Sequence, residues 1–261
     1  LYVVFAAIFA VVFGKDVAKA NKEGKLEEQS TPKVAVTGFI TDFFDTLGIG
    51  SFAPTIAMSK ALKLNIPDKK MPGTLNVAHT IPVVTEAFIF TSIIPVDGVT
   101  LVSMVVAAAV GSYIGAGIIA KMDERKIQLV MGVTLALTAI LMLLGHPWIN
   151  VLPGGGNELG LTGVKLVIGV IGNFILGALM TAGIGLYAPG MAMVYFLGMS
   201  AKVAFPIVMG SCALLMPVAS MKFIKEDAYT KKASVIIAIC GLIGVRSEER
   251  RVGKECRSRW S

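Results

Sequence analysis

The stretch "TLGIGSFAP", residues 46–54, places two glycines and a proline inside an apolar run of membrane-spanning length. Nearly the same string, "TAGIGLYAP", returns at residues 181–189. Glycine and proline break the hydrogen-bond ladder of a helix, and the freed N–H and C=O groups are tolerated at membrane depth only where protein or a water-filled cavity covers them. The two motifs therefore predict two broken segments that meet inside a helical bundle.

The composition is that of a membrane protein. Of the 261 residues, 55% are hydrophobic and 16% are charged, whereas charged residues make up about a quarter of an average soluble domain. The stretches 98–120 and 127–145 carry no charged residue, and about 20 apolar residues suffice to cross the ~30 Å hydrocarbon core of a bilayer. We predict an all-α, polytopic membrane protein without a soluble domain.

The net charge of +7 raises the question of a nucleic-acid partner. The lysines lie in short loops between apolar stretches and do not form one continuous basic face. They indicate membrane topology, and we expect no nucleic-acid partner.

Residue types suited to metal binding or nucleophilic chemistry are sparse. The cysteines, Cys212, Cys240 and Cys256, are not closely spaced, and His79 and His146 stand far apart. This pattern predicts neither a disulfide framework nor a metal site. Because no Ser-His-Asp order or phosphate-binding loop occurs either, we expect no cofactor and no enzymatic activity.

The sequence matches itself at an offset of 135 residues. Between residues 46 and 89, fourteen of 44 positions are identical to those 135 residues later, where an apolar-biased chain would give roughly four by chance. The protein is predicted to consist of two related halves.

Positive charges orient these halves, because short cytoplasmic loops accumulate Lys and Arg. We expect four basic loops in the cytoplasm and the two loops without Lys or Arg, 94–98 and 146–163, outside. The basic loops are 14–33, 59–73, 121–126 and 222–232.

The crossings between the motifs predict that the halves are inverted. The segment 34–58 begins and ends beside basic loops, so it is either a re-entrant hairpin or two short spans broken near Gly48. Three full crossings, at 74–92, 98–120 and 127–145, separate the two motifs. Because three is odd, the second motif enters from the opposite side, an arrangement that many secondary transporters use.

The repeat also divides the chain. Residues 1–145 form the first repeat together with the span that leads into the second, 146–163 form an outer linker, and 164–245 form the second repeat. The offset predicts that the first and the last span are incomplete. The terminal "RSEERRVGKECRSRWS", residues 246–261, is expected to be a non-native tail.

The two motifs are suited to binding an anion. The N-terminal end of a half-helix presents unpaired amides and a partial positive charge, and a threonine two residues before the first glycine of each motif adds a hydroxyl donor. Close helix packing by small residues is the alternative reading of the glycines. We predict a substrate site formed by both motifs and by one polar pair of the following spans. Its members are Thr46, Gly48, Ile49, Gly50, Pro54, Asn76, Thr181, Gly183, Ile184, Gly185, Pro189 and Ser211.

Four ionisable residues in or beside apolar segments are candidates for ion coupling, because a charge within a span is costly and is by default a functional hypothesis. His79 and Glu86 lie in one span, and Asp42 and Asp45 precede the first motif. The alternatives are an interfacial position for Glu86, a packing role for His79, and a place at the cytoplasmic mouth for the two aspartates.

The strings "GFITDFFDTLGIGSFAPTIAM", "PGTLNVAHTIP" and "GIGLYAP" resemble the sulfite exporter TauE/SafE family of membrane permeases, in a branch with an Asp-Thr-x-Gly-Ile-Gly form. The resemblance covers about residues 34–240. It implies a multi-pass permease of the cell membrane that moves small sulfur-containing or organic anions, such as sulfite or organosulfonates, driven by an ion gradient. The expected partners are the small anion and the lipid bilayer, and a homo-oligomer stays open.

Two other functions remain as alternatives. A membrane scaffold or assembly subunit would have the same apolar composition. An ion channel is disfavoured, because the sequence has neither a ring of charged residues nor a carbonyl filter motif.

Overall fold

The computed structural model describes residues 2–144, 156–183 and 185–259. These residues form ten α-helices and a short 3-10 turn, and no β-strand occurs among them, which confirms the predicted all-α class. The helices are α1 (Tyr2–Lys22), α2 (Thr31–Asp45), α3 (Phe52–Leu62), α4 (Met71–Ile93), α5 (Gly98–Ile119), α6 (Glu124–Leu144), α7 (Gly163–Met180), α8 (Tyr187–Phe196), α9 (Ala201–Lys225) and α10 (Lys231–Arg259), with the 3-10 turn at Asp68–Lys70.

Among the described residues, three segments are long and apolar enough to cross a membrane: Gly98–Ile119, Gly163–Met180 and Lys202–Lys225. Many side chains of α5 and α7 are exposed although they are aliphatic, Val102 and Ile171 among them. An apolar helix face without a protein neighbour suits lipid contact. The protein is a polytopic membrane protein.

Each half contains a helix that is interrupted at its motif. In the first half α2 ends at Asp45 and α3 begins at Phe52. In the second half α7 ends at Met180 and α8 begins at Tyr187. Both boundaries repeat at the 135-residue offset, so the predicted broken helices are confirmed in both halves.

The first interrupted segment is a re-entrant hairpin. The Lys33 ammonium near the start of α2 donates a hydrogen bond to the carbonyl oxygen of Leu62 at the end of α3, at 3.2 Å. The chain therefore returns to the side from which it started. At 1.5 Å per residue, α2 and α3 are about 22 and 16 Å long, shorter than the ~30 Å of a hydrocarbon core, so the alternative of two short spans is ruled out.

The second interrupted segment closes in the same way. The Ser200 amide after α8 donates to the carbonyl oxygen of Glu158 before α7, at 3.2 Å. Met199 forms an isolated bridge with the same residue. The start of α7 and the end of α8 therefore lie together, and the break at 181–186 is the tip of a second hairpin.

Contacts between helices fix their relative directions. Thr80 of α4 hydrogen-bonds Ser220 of α9, and Gly73 packs on Ala228 beyond the end of α9, so these two helices are antiparallel. Along α4 and α10, by contrast, Thr74 meets the amide of Thr230, and Pro82, further along α4, lies at Gly241, further along α10. Helices α4 and α10 therefore run parallel.

Pairs of contacts at the other helix interfaces give the directions of the remaining helices in the same way. Gly111 and Gly115 of α5 pack on Phe174 and Ala178 of α7, in parallel. Helix α2 is parallel to α10, because Gly38 meets Ile237 and Asp42 meets Gly241. Helix α5 is parallel to α9, because Val105 meets Gly210 and Ser112 meets Leu215. Thus α2, α4 and α10 run in one direction, and α5, α7 and α9 run in the other. Each helix opposes its repeat equivalent, which confirms the inverted halves.

The two halves exchange helices. Helix α5 of the first half packs along α7 of the second hairpin, and α10 of the second half packs along α2 of the first hairpin. Glycines such as Gly38 and Gly111 allow backbones to approach at these interfaces, as is common in membrane bundles. Each hairpin is therefore held by the last helix of the other half.

The last helices of the two halves, α5 and α10, are capped differently. At the start of α5, the Asp97 carboxylate accepts hydrogen bonds from the amide and hydroxyl of Thr100, both at 2.8 Å, and these bonds lower the pKa of Asp97. At the start of α10, the amides of Lys231 and Lys232 donate to the carboxylate of Glu27, at 3.1 and 3.2 Å. Helix α10 is thus capped by the loop that follows α1.

The proposed division at 145, 163 and 245 stays a prediction. Residues 145–155, which include most of the predicted outer linker and His146, lie outside the described residues. The backbone of the expected non-native tail continues α10 to Arg259, and residues 260–261 lie outside the described residues. The origin of the tail stays a prediction.

Candidate functional site

The tips of the two hairpins meet in the interior of the bundle. Gly48 has φ +88°, and a Cβ atom at this position would lie 2.8 Å from the hydroxyl oxygen of Tyr187 in the second tip. Gly50 and Gly183 also have positive φ values, +85° and +95°, which side chains other than glycine rarely adopt. The glycines of the motifs therefore serve both the sharp reversal of the chain and the contact between the tips.

A small cavity lies between the tips. It is lined by both motifs and by side chains of α4, α7 and α9, among them Val83, Met180, Met209 and Cys212. The residues that the two tips contribute are Asp45, Gly50, Ser51, Phe52, Gly185, Leu186 and Tyr187. Its volume is about 20 Å³, and a single water needs about 10–15 Å³. In this arrangement of the tips the cavity therefore has room for no more than a water-sized group.

Two short helices begin at this cavity. Ser51 and Leu186, which line it, are the N-cap residues of α3 and α8. The first amides of a helix have no acceptor within the helix and carry a partial positive charge. The cavity therefore receives the positive ends of two half-helices from opposite sides, an arrangement that attracts an anion.

The first of these helix starts already faces an acid. The carboxyl group of Asp45 interacts with the hydroxyl and the amide of Ser51 at the start of α3. The residue equivalent to Asp45 in the second half is Met180, which has no charge. The second half therefore supplies no acid to the start of α8 at the position where Asp45 serves the start of α3.

Asp42, His79 and Thr55 form a buried polar chain behind the first tip. His79 Nδ1 lies 2.7 Å from Asp42 Oδ1, and its Nε2 lies 3.0 Å from Thr55 Oγ1. All three side chains are fully buried. The second Asp42 oxygen has no hydrogen-bond partner among the described residues, and a Cβ atom at Gly241 would collide with it. Gly241 of α10 thus makes the room that this carboxyl group occupies.

Among the buried polar groups that lack partners in the described part of the chain, two lie near the cavity. Neither carboxyl oxygen of Glu86, nor the Tyr187 hydroxyl, has a hydrogen-bond partner within the described part of the chain. Glu86 is fully buried and Tyr187 is 8% exposed. Glu86 lies close enough for its charge to act on Tyr187 and Cys212, which line the cavity. Because buried polar groups are nearly always hydrogen-bonded, these two groups are candidates for contact with a ligand.

A comparison with protein families identifies the chain. The family model described as sulfite exporter TauE/SafE matches residues 1–142, which include the first hairpin, α4 and α5. The chain belongs to the sulfite exporter TauE/SafE family. No curated protein and no solved structure gives a significant match.

Membership in the TauE/SafE family makes the protein a membrane transporter for sulfite or related anions. The matched residues include Asp42, Asp45, His79 and Glu86, so all four ionisable candidates lie within the matched part of the chain. The unmatched second half contributes Tyr187 and the start of α8 to the same cavity.

The residues predicted for the TauE/SafE substrate site fall into two groups. Gly50 and Gly185 line the cavity, together with Asp45, which was predicted as a coupling residue, and Gly48 touches Tyr187 across the tips. Ile184 lies outside the described residues.

The predicted hydroxyl donors point elsewhere. Thr46 donates to the carbonyl oxygen of Phe43 and Thr181 to that of Ala178, both at 2.6 Å. Each hydroxyl hydrogen is therefore already used by the helix that ends at the tip, and neither threonine lines the cavity. A change of side-chain rotamer would be needed before either could bind an anion.

The polar pair of the following spans is likewise occupied. The Asn76 amide nitrogen donates to the carbonyl oxygen of Pro72 at 2.9 Å, and Ser211 accepts from Asn173 at 2.8 Å. Neither is among the residues that line the cavity. Their contacts hold helices, while the cavity itself is walled by Val83 further along α4.

The other motif residues have backbone roles. Pro54 and Pro189 both occupy the third position of a short helix, where the absent N–H is not needed. Ile49 is 46% exposed and does not line the cavity.

Sequence reasoning missed Ser51, Thr55, Tyr187 and Cys212 as members of the site. Ser51 and Tyr187 lie inside the two motifs, but the residue at each of these positions differs between the two copies. The motif positions predicted for the site are all identical in both copies. Thr55 lies one turn after the motif on the face of α3 that meets His79. The variable positions of the repeat were therefore the informative signal for these residues.

Proposed function

We propose that this protein is a secondary transporter that moves small sulfur-containing or organic anions, such as sulfite or organosulfonates, across the cell membrane. The observation that carries the proposal is the meeting of two inverted hairpin tips at one cavity. Secondary transporters with inverted repeats place the substrate at the interface of the repeats, between discontinuous helices.

The anion is bound by the second tip in this proposal. The start of α8 and Tyr187 line the cavity and have no acidic neighbour in their own half at the position of Asp45. A helix start and a hydroxyl donor suit the oxygen atoms of a sulfite or sulfonate group. The first tip already places Asp45 at its helix start.

Transport proceeds by alternating access of the two hairpins. Each hairpin starts and ends on one side and reaches only to the cavity, as the Lys33 to Leu62 contact of the first hairpin illustrates. Withdrawal of one tip opens the cavity toward the side to which that hairpin belongs, while the other tip keeps the opposite side closed. The positive φ values at Gly48 and Gly183 mark the positions where such movement requires the least rearrangement.

The orientation follows from the basic loops. The first hairpin, whose two ends adjoin Lys33 and Lys60, opens toward the cytoplasm under the positive-inside rule. The second hairpin then opens outward. The proposed location is the cell membrane, with loops 14–33, 59–73, 121–126 and 222–232 in the cytoplasm.

Uptake into proteoliposomes tests the proposal. Purified protein is reconstituted and the influx of ³⁵S-sulfite, labelled thiosulfate and labelled isethionate is compared with that into protein-free liposomes. We expect saturable influx of at least one of these anions, with a preference among them. Equal flux with and without protein for all three would contradict transport and would favour a scaffold role, whereas flux that never saturates would favour a channel.

A further inference from the structure

The electrostatics of the cavity conflict with binding of an anion alone. Asp45 lines the cavity, Glu86 acts on two of its lining residues, and Asp42 lies close enough to act on both of these acids. No lysine or arginine lines the cavity within the described part of the chain. Two like charges about 4 Å apart repel by several kcal/mol at the effective dielectric of a protein, so an anion beside ionised carboxylates is strongly disfavoured.

The unpartnered groups show how the conflict is resolved. A neutral carboxylic acid carries one O–H donor, and Glu86 has no acceptor for such a hydrogen among the described residues. The same is true of the Tyr187 hydroxyl. The oxygen atoms of a bound sulfite or sulfonate are acceptors only, so they match the donors that the site leaves unpaired.

Glu86 occupies the face of α4 that reaches the cavity. Val83 lines the cavity, and residues at i, i+4 and i+7 share one helix face, so His79, Val83 and Glu86 form one stripe. His79 is held between Asp42 and Thr55. Glu86, at the other end of the stripe, has no such partner in the described chain and is free to bind a ligand.

We propose that Asp45 and Glu86 enter the transport cycle as neutral acids that donate hydrogen bonds to the substrate, so that protons and anion cross together. This inference rests on the proposed transport function and names its coupling ion and the residues that carry it. The protons bind to the carboxyl oxygens from the side to which the cavity is open, and they leave with the anion on the opposite side. No other reactant is needed.

The other titratable groups near these acids have different surroundings. Asp42 is paired with His79 behind the first tip, and Tyr187 of α8 and Cys212 of α9 line the cavity. From α1, Tyr2 packs on Phe88 of α4. Helix α10 meets this part of α4 with Gly241, which carries no side chain. The pH dependence that involves Glu86 is therefore expected to follow the acids of α2 and α4.

The test measures ³⁵S-sulfite binding and uptake as a function of pH in the wild type, Asp45→Asn and Glu86→Gln. Each proton that must bind with the anion weakens its affinity by about tenfold per pH unit above the range where the acid is protonated. An amide offers an N–H donor at every pH, so each variant should still bind sulfite. The affinity of each variant for sulfite should fall tenfold less per pH unit than that of the wild type. Sulfite itself takes up a proton in this range, but that contribution is common to all the proteins and cancels in the comparison.

Asp123→Asn is the matched control, because Asp123 is an exposed acid of a predicted cytoplasmic loop. It should keep the pH dependence of the wild type. Equal pH dependence in wild type, Asp45→Asn and Glu86→Gln, or uptake that follows a sodium gradient and ignores a proton gradient, would overturn the inference and leave anion transport intact. Absence of sulfite uptake by the wild type at every pH would overturn both this inference and sulfite as the transported anion.

Discussion

The two hairpins have the same shape and different chemistry. Where the first hairpin and its neighbouring span carry Asp42, Asp45 and His79, the equivalent positions of the second half hold glycine, methionine and leucine. Conversely, Tyr187 in the second tip replaces Phe52 in the first. The shape of each hairpin depends only on the glycines and on the break in the helix. The polar residues could therefore differ between the two halves. One half holds the ionisable groups, and the other offers neutral donors to a ligand.

The largest expected effect comes from removing what the two tips share. Gly48→Leu and Gly183→Leu each place a side chain at a positive φ, and at Gly48 the new Cβ also meets Tyr187. We expect anion flux to fall to the level of protein-free liposomes, while membrane insertion persists.

The control is Gly117→Leu, because a Cβ atom at Gly117 of α5 meets no atom within 4 Å. Its flux should stay near that of the wild type. Wild-type flux in Gly48→Leu would show that the tip contact is not part of the transport path.

His79→Leu gives the first half the leucine that the second half has at the equivalent position. Loss of the histidine leaves Asp42 buried without a partner, and breaking a buried ion pair in this way typically costs about 3–5 kcal/mol. We expect a marked fall in the midpoint of thermal unfolding in detergent. The double variant His79→Leu/Asp42→Ala should recover much of the loss, since it removes the isolated carboxyl group as well.

The double-mutant cycle requires Asp42→Ala as the remaining single variant. A sum of single effects equal to the double effect would mean that the two side chains do not stabilise each other, which the 2.7 Å contact argues against.

Tyr187→Phe gives the second tip the residue of the first. Removal of a hydroxyl that donates to a charged ligand costs about 1.5–3 kcal/mol, so the Kd for ³⁵S-sulfite should rise by about tenfold or more. Tyr195→Phe, on the same helix and outside the cavity lining, is the control. An unchanged Kd in Tyr187→Phe would remove this hydroxyl from the binding site.

The smallest effect concerns the caps of α5 and α10, the last helices of the two halves. Helix α5 is capped by its own Asp97, whereas α10 is capped by Glu27 from the loop after α1. Glu27→Ala should lower the free energy of unfolding by about 1 kcal/mol, the usual value of a helix cap, and should leave the Kd for sulfite unchanged. The exposed neighbour Glu28 provides the control substitution, Glu28→Ala, which should have no effect.

The sequence predicts the fold well because the fold depends on repeated features. The glycine and proline motifs, the charge-free spans and the basic loops act locally, and the 135-residue offset locates both breaks. The choice between a hairpin and two short spans required the contact of Lys33 with Leu62, which joins residues that periodicity does not relate.

The site was predicted less completely, for a physical reason. Thr46 and Thr181 have hydroxyls suited to an anion, but a helix end offers the same hydroxyl a carbonyl acceptor only three residues away. Tyr187 and Ser51 gain their importance from meeting the opposite tip and Asp45, and no spacing within one half encodes that encounter.

The glycine at position 241 has a consequence for related sequences. Because a Cβ atom there would occupy the space of the Asp42 carboxyl group, an aspartate at 42 and a glycine at 241 form a volume-matched pair. Relatives that lose the acid at 42 are free to gain a methyl group at 241, and relatives that keep it are not. The two positions should therefore change together in evolution, although 199 residues separate them along the chain.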